Sequence, residues 1–183
     1  MRMAPRRPVK AVILYDEFAA AIDAKEVLEN VAAQLQDEFV IEIDFWRLAM
    51  LEHPQQQILA SRGVAAADLI LVAGESQGNI PENARAWLED CLAHKPSGGK
   101  ALVALLGTQE AVTNALSALG GYLKDLASRC RADFLTNAGI DGQSATTGII
   151  QGVRAHGPAR RRSVSIHLDN PAEALPVVNY VNA

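Results

Sequence analysis

The chain has 183 residues, with 17 basic against 21 acidic side chains, 49% hydrophobic residues and 5% aromatics. That length fits about one domain with a full core, and a charged fraction of 21% excludes wholesale disorder or a fibrous repeat. The net charge of −4 is unevenly placed: residues 1–10 hold +4, residues 154–162 hold +4, and residues 11–153 hold −10. An acidic body repels nucleic-acid phosphate, so the basic ends read as solvated tails and no nucleic-acid partner is expected.

Arg6 and Arg7 precede the apolar run Val9–Tyr15, which stops at Asp16-Glu17, too short for a signal-peptide core. No stretch approaches the ~18–20 apolar residues of a membrane helix. A cytoplasmic protein with no membrane partner is the expectation. Val9–Tyr15 itself is nearly continuous in apolar character, as a strand buried on both faces must be. From about Ala19 to Glu38 the apolar positions Ala24, Val27, Leu28, Val31 and Leu35 fall at helical spacing.

Phe39–Trp46 is rich in β-branched and aromatic residues and forms the second expected strand. A weakly periodic helix follows over Pro54–Ala66. The third strand, Asp68–Ala73, ends in the glycine-punctuated loop Gly74–Asn79. Pro81 suits a helix start, and Ala84, Trp87, Leu88, Cys91 and Leu92 make the apolar stripe behind it. Strand Ala101–Leu106 leads to Thr108, a candidate cap for a helix whose face carries Val112, Leu116, Leu119, Leu123 and Leu126. Gly120-Gly121 within that helix costs ~1 kcal/mol per residue against alanine, so a kink or close packing is expected there. A short strand at Asp133–Thr136 completes the pattern.

After Gly139 the periodic apolar residues give way to Gly, Ser, Thr and the run Arg160-Arg161-Arg162. The expected organisation is a basic tail over 1–8, a domain over 9–138, and an appendage over 139–183 that is partly disordered, carries an edge strand at 163–168, or serves homodimer contacts. Cys91 and Cys130 stand singly, and His53, His94, His156 and His167 complete no metal-ligand spacing. The cysteines read as small core or surface residues in a reducing compartment.

Five strands alternating with helices imply a three-layer, doubly wound parallel sheet with right-handed crossovers, in the order 2-1-3-4-5. This is the flavodoxin-like arrangement, in which ligands bind beyond the carboxyl ends of the strands at the switch between the first and third. The segments expected there are Asp16-Glu17-Phe18, Asp44–Arg47, Gly74–Asn79, Gly107-Thr108-Gln109 and Asn137-Ala138-Gly139.

One of these carries a family resemblance. Ala67-Asp68, an apolar strand, then Gly74-Glu75-Ser76-Gln77-Gly78-Asn79-Ile80-Pro81 resembles the NAD(P)H-dependent FMN reductases of the flavodoxin superfamily, which read Pro-Glu-Tyr-Asn-Gly-Ser-Ile-Pro over the last eight positions. Ala67, Asp68, Glu75, Gly78, Ile80 and Pro81 match. The resemblance implies a loop backing a flavin ring, with Gly74, Glu75, Ser76, Gly78, Asn79 and Thr108 as candidate cofactor-binding residues and NAD(P)H-dependent flavin reduction as the activity.

The first loop departs from that family. A phosphate cradle needs hydroxyls and free N–H groups at the helix N-terminus, whereas this chain offers Tyr15-Asp16-Glu17-Phe18. A carboxylate ~5 Å from a phosphate charge costs about 3 kcal/mol at an effective dielectric of 20. The leading expectation is therefore a module that binds a small ligand or a protein partner without FMN, and a flavin oxidoreductase is the alternative. Asp16-Glu17 also looks like the acidic pair of response-regulator receiver domains, but Ala73-Gly74 and Asn137 stand where that pattern needs Asp and Lys. Asp16, Glu17, Asp44 and Glu75 together would suit Mg²⁺, Ca²⁺ or a cationic substrate, if the sheet brings them to one edge.

Overall fold

Val9, Ile13, Leu14, Ile70, Leu71 and Val72 are at most 1% exposed, which only strands covered on both faces achieve. The computed structural model describes residues 7–35, 38–75, 79–93, 100–107, 118–136 and 145–156. The strands are β1 (Arg7–Tyr15), β2 (Phe39–Arg47), β3 (Leu69–Gly74), β4 (Ala101–Leu106) and β5 (Asp133–Thr136). They form one all-parallel sheet in the order β2-β1-β3-β4-β5, as the alternating pattern required.

The helices are α1 (Phe18–Gln34), α2 (Pro54–Ala66), α3 (Glu82–Ala93), α4 (Ala118–Cys130) and α5 (Ala145–His156), with a short 3-10 turn at Leu48–Glu52. Side chains alternate across β1, so Val12 and Leu14 pack with α2, α3 and α4. Val9, Ala11 and Ile13 pack with α1 and α5. Helix α1 ends earlier than its periodicity suggests because the Leu35 carbonyl accepts the N–H groups of Glu38 at 2.8 Å and Phe39 at 2.9 Å, turning the chain into β2. Lys100 Nζ donates to the carbonyls of Val64 and Ala65, a cation on the negative end of α2. At the end of α4, Arg131 takes the left-handed conformation (φ 53°) and Ala132 N–H returns to the Ala127 carbonyl, a Schellman-type stop.

Helix α5 brings apolar side chains from beyond residue 138 into the core. Ile149, Ile150 and Val153 are buried with α1 and the sheet. The helix approaches β5 closely because Gly148 and Gly152 lie over Leu135: a Cβ at these positions would stand 3.7 and 3.4 Å from its methyl groups. At Gly121 a Cβ would meet nothing within 4 Å, so close packing does not require that glycine. The Thr108 cap, Val112, Leu116 and the strand expected at 163–168 lie outside the described residues.

Several polar groups are paired between α2, α3 and α4, and the Arg85 guanidinium stacks over the Tyr122 ring at 4.6 Å. Trp87 Nε1 donates to Ser61 Oγ at 2.9 Å, Ser61 Oγ donates to the Gln57 carbonyl, and the Tyr122 hydroxyl donates to Glu89 Oε1 at 2.9 Å. Burial, followed by the hydrogen bond to Glu89 and its negative charge, pushes the Tyr122 phenol well above its ordinary value. A raised folded-state value stabilises the fold below the unfolded phenol range near ~10, and that contribution disappears as pH rises through the folded value. Urea midpoints of wild type and Tyr122→Phe should therefore diverge less at about pH 11 than at about pH 9, the wild type losing its advantage with alkalinity.

Candidate functional site

The register decides which loops meet. Tyr15 pairs with Ala73 and Gly74 with Leu106, so Asp16, Glu75 and Gly107 emerge together at the carboxyl edge. Two further backbone bonds hold them there, Asp16 N–H to the Ala73 carbonyl at 3.3 Å and Gly107 N–H to the Gly74 carbonyl at 3.0 Å. Between this edge and the first turns of α1 lies a cleft of about 310 Å³. Asp16, Glu17, Asp23 and Glu75 supply its charged groups, and Val27, Leu105 and Leu106 supply apolar wall. Its described lining contains no Ser, Thr, Cys or His; the groups it presents are carboxylates, backbone and apolar side chains.

Asp16 organises the floor. Its Oδ1 accepts the Glu17 N–H at 2.6 Å and its Oδ2 accepts the Glu75 N–H at 3.3 Å. Arg47 Nε donates to the Asp16 carbonyl at 3.2 Å, tying the end of β2 to the same loop. Gly74 makes the arrangement possible, because a Cβ there would stand 2.6 Å from Asp16 Oδ2. The carboxylate thus occupies backbone donors at the head of α1 and the end of β3. In the flavodoxin arrangement this switch point is where FMN sits, and an anion is normally held by helix-terminal N–H groups. The described residues do not fit that phosphate: the Asp16 carboxylate, bonded to the Glu17 and Glu75 N–H groups, brings negative charge to this edge, with the Glu17 and Glu75 side chains beside it.

Of the candidate cofactor-binding residues, Gly74 and Glu75 line the cleft. Asn79 is engaged elsewhere, its Oδ1 accepting from Arg85 Nη2 at 2.9 Å. Ser76, Gly78 and Thr108 lie outside the described residues. The cation site expected from Asp16, Glu17, Asp44 and Glu75 is corrected by the register. Strand β2 continues to Arg47, so Asp44 pairs with Val12 inside the sheet and its carboxylate lies on the α2 face, against Gly63. Among the described residues, no group of three or more His, Cys, Asp or Glu side chains is placed to hold a metal ion. Asp23 was missed; its signal is the helical spacing from Ala19 and Ala20, which puts all three on the cleft face of α1.

No protein-family model matches the chain, and no curated protein matches its sequence. Solved structures do match its shape. An oxidoreductase from Corynebacterium diphtheriae superposes with a TM-score of 0.53 at 16% identity, covering 80% of this chain and 92% of that one. A short-chain flavodoxin associated with a bacterial microcompartment gives 0.49 at 11% identity, over 81% and 97%. General stress protein 14 from Treponema denticola, solved in complex with FMN, gives 0.42 at 17% identity, over 81% and 95%. The chain has the flavodoxin-like fold. No described helix is long and apolar enough to cross a membrane.

Proposed function

We propose that this chain is a flavodoxin-like binding module, cytoplasmic, whose carboxyl-edge cleft takes a small cationic or protein-borne cationic group in place of FMN. The observation that carries this reading is Asp16, whose carboxylate accepts the Glu17 and Glu75 N–H groups at the mouth of the cleft and holds a negative charge there. Glu17, Asp23 and Glu75 add further negative charge around a partly apolar wall. Such a lining favours an ammonium or guanidinium attached to a short apolar body, and repels phosphate.

A second reading, an NAD(P)H-dependent flavin oxidoreductase holding FMN in a different pose, is favoured by one observation. Gly74 and Glu75, from the loop that resembles FMN reductases, both line the cleft. The two readings separate in solution. The purified protein should show no flavin band between about 300 and 550 nm after FMN addition and dialysis, and benzylammonium at millimolar concentration should raise its melting temperature where benzoate does not. Retained flavin, or FMN binding at micromolar affinity or tighter, would establish the second reading and end the first. Equal stabilisation by benzoate would remove the cationic ligand.

A further inference from the structure

Strand β2 runs for nine residues at the edge of the sheet, and among the described residues β1 is its one neighbouring strand. Its two faces differ. Ile41, Ile43 and Phe45 pair with Val9, Ala11 and Ile13 and share their face, toward α1. Ile41 and Ile43 are half-buried there, and Phe45 is 42% exposed. Glu42 and Asp44 are exposed on the α2 face, beside Lys10 and Val12 of β1. Among the described residues neither carboxylate has a hydrogen-bond or ion-pair partner, so Lys10 makes no ion pair with Glu42.

Helix α1 extends the apolar side of this edge. Its residues Ala19, Ala20, Asp23 and Val27 line the cleft toward β3 and β4. At ~3.6 residues per turn, Phe18 and Ile22 stand roughly a third of a turn from them, and as far from the buried stripe Ala21, Ala24, Leu28 and Val31. They therefore occupy the opposite flank, toward β2, and they are 73% and 43% exposed. The edge combines an open row of backbone N–H and C=O groups, an apolar ledge on one face and two unpaired carboxylates on the other. A strand that docks here must alternate, apolar toward α1 and basic toward Glu42 and Asp44. A second copy does not meet that requirement. Two β2 strands joined antiparallel about a two-fold axis at Glu42, Ile43 or Asp44 set acid against acid in every case.

We propose that the β2 edge binds an extended segment of a different protein, one that alternates apolar residues with Lys or Arg, as an added strand. Backbone hydrogen bonds to β2 supply affinity without regard to sequence, and the ledge and the two carboxylates select the alternation. This site is separate from the cleft, which is lined by α1 and the ends of β1, β3 and β4, and it does not depend on what the cleft binds.

An acetylated, amidated octapeptide of alternating lysine and valine, titrated into the full chain and followed by amide hydrogen exchange, tests this. At saturation the edge-facing amides within residues 40–46 should exchange at least about tenfold more slowly, while those of α3 are unchanged. Glu42→Lys combined with Asp44→Lys should weaken binding at least about tenfold by reversing the charge that the lysines meet. Phe45→Ser should weaken it through the ledge instead, and all three side chains are exposed, so the fold tolerates the changes. The same peptide N-methylated at every residue keeps its charge but has no N–H to donate, and should not bind. Equal protection by an alternating glutamate–valine peptide, or equal binding of the N-methylated one, would overturn the proposal. So would slow exchange of these β2 amides before any peptide is added. That result would assign the edge to the chain itself if it persists on dilution, and to a second copy if it fades.

Discussion

Replacing Asp16 with serine should raise the affinity of the chain for FMN by about tenfold to a hundredfold. The carboxylate is bonded to the Glu17 and Glu75 N–H groups, and removing it frees both donors at the mouth of the cleft. It also removes a negative charge, which at ~5 Å from a bound phosphate would cost about 3 kcal/mol at an effective dielectric of 20. Glu17 and Glu75 keep the gain below what a hydroxyl-rich loop would give. The substitution costs stability, because two hydrogen bonds to a charged acceptor are lost; their solvent exposure holds the loss to about 1–2 kcal/mol.

Gly74→Ala separates geometry from charge. Its Cβ would stand 2.6 Å from Asp16 Oδ2, so the carboxylate must leave its donors while its charge stays in the cleft. This variant should lose stability without gaining FMN affinity. Fluorescence quenching of FMN, paired with urea unfolding, reads both quantities. An Asp16→Ser protein that binds FMN no better than wild type would mean that the carboxylate is not what closes this edge to phosphate.

The two variants also mark how far the site was legible. That Asp16-Glu17 opposes a phosphate follows from charge and from the position of the pair after a buried strand, both visible in the sequence. That Asp16 satisfies the backbone donors, and that Gly74 is what admits it, depends on the register between β1 and β3 and could not be read from residue order. Asp44 was misplaced for a related reason. Strand β2 is at the edge of the sheet, so a polar residue within it faces water at little cost and does not mark where the strand stops. The central strands gave no such ambiguity, since a residue buried on both sides must be apolar; β4 falls on the expected residues Ala101–Leu106. Helix α2, Pro54–Ala66, was also found at its expected bounds, with proline at its start supplying the signal that its weak periodicity did not.

Helix α5 was illegible because its packing surface is made partly of missing side chains. Gly148 and Gly152 read as breakers, yet their spacing of four puts them on one face, where Leu135 comes against them. The apolar positions that remain, Ile149, Ile150 and Val153, are too few for a convincing stripe. They are nevertheless 0%, 8% and 2% exposed. Ile149→Ala should accordingly destabilise the protein by about 2–5 kcal/mol, the range for truncating a fully buried aliphatic side chain. At ~2–4 °C per kcal/mol for a chain of this size, the melting temperature should fall by roughly 5–15 °C.

Gln151 is exposed on the same helix, and Gln151→Ala should stay within about 0.5 kcal/mol of wild type. Gly152→Val should resemble Ile149→Ala, because even the first added carbon reaches 3.4 Å from Leu135 and the branches beyond it have to displace α5 from β5. Thermal melts followed by circular dichroism decide the point. If Ile149→Ala and Gln151→Ala melt together, α5 lies outside the cooperative unit; if they separate as argued, the domain extends through residue 156 and α5 closes the α1 face of the sheet.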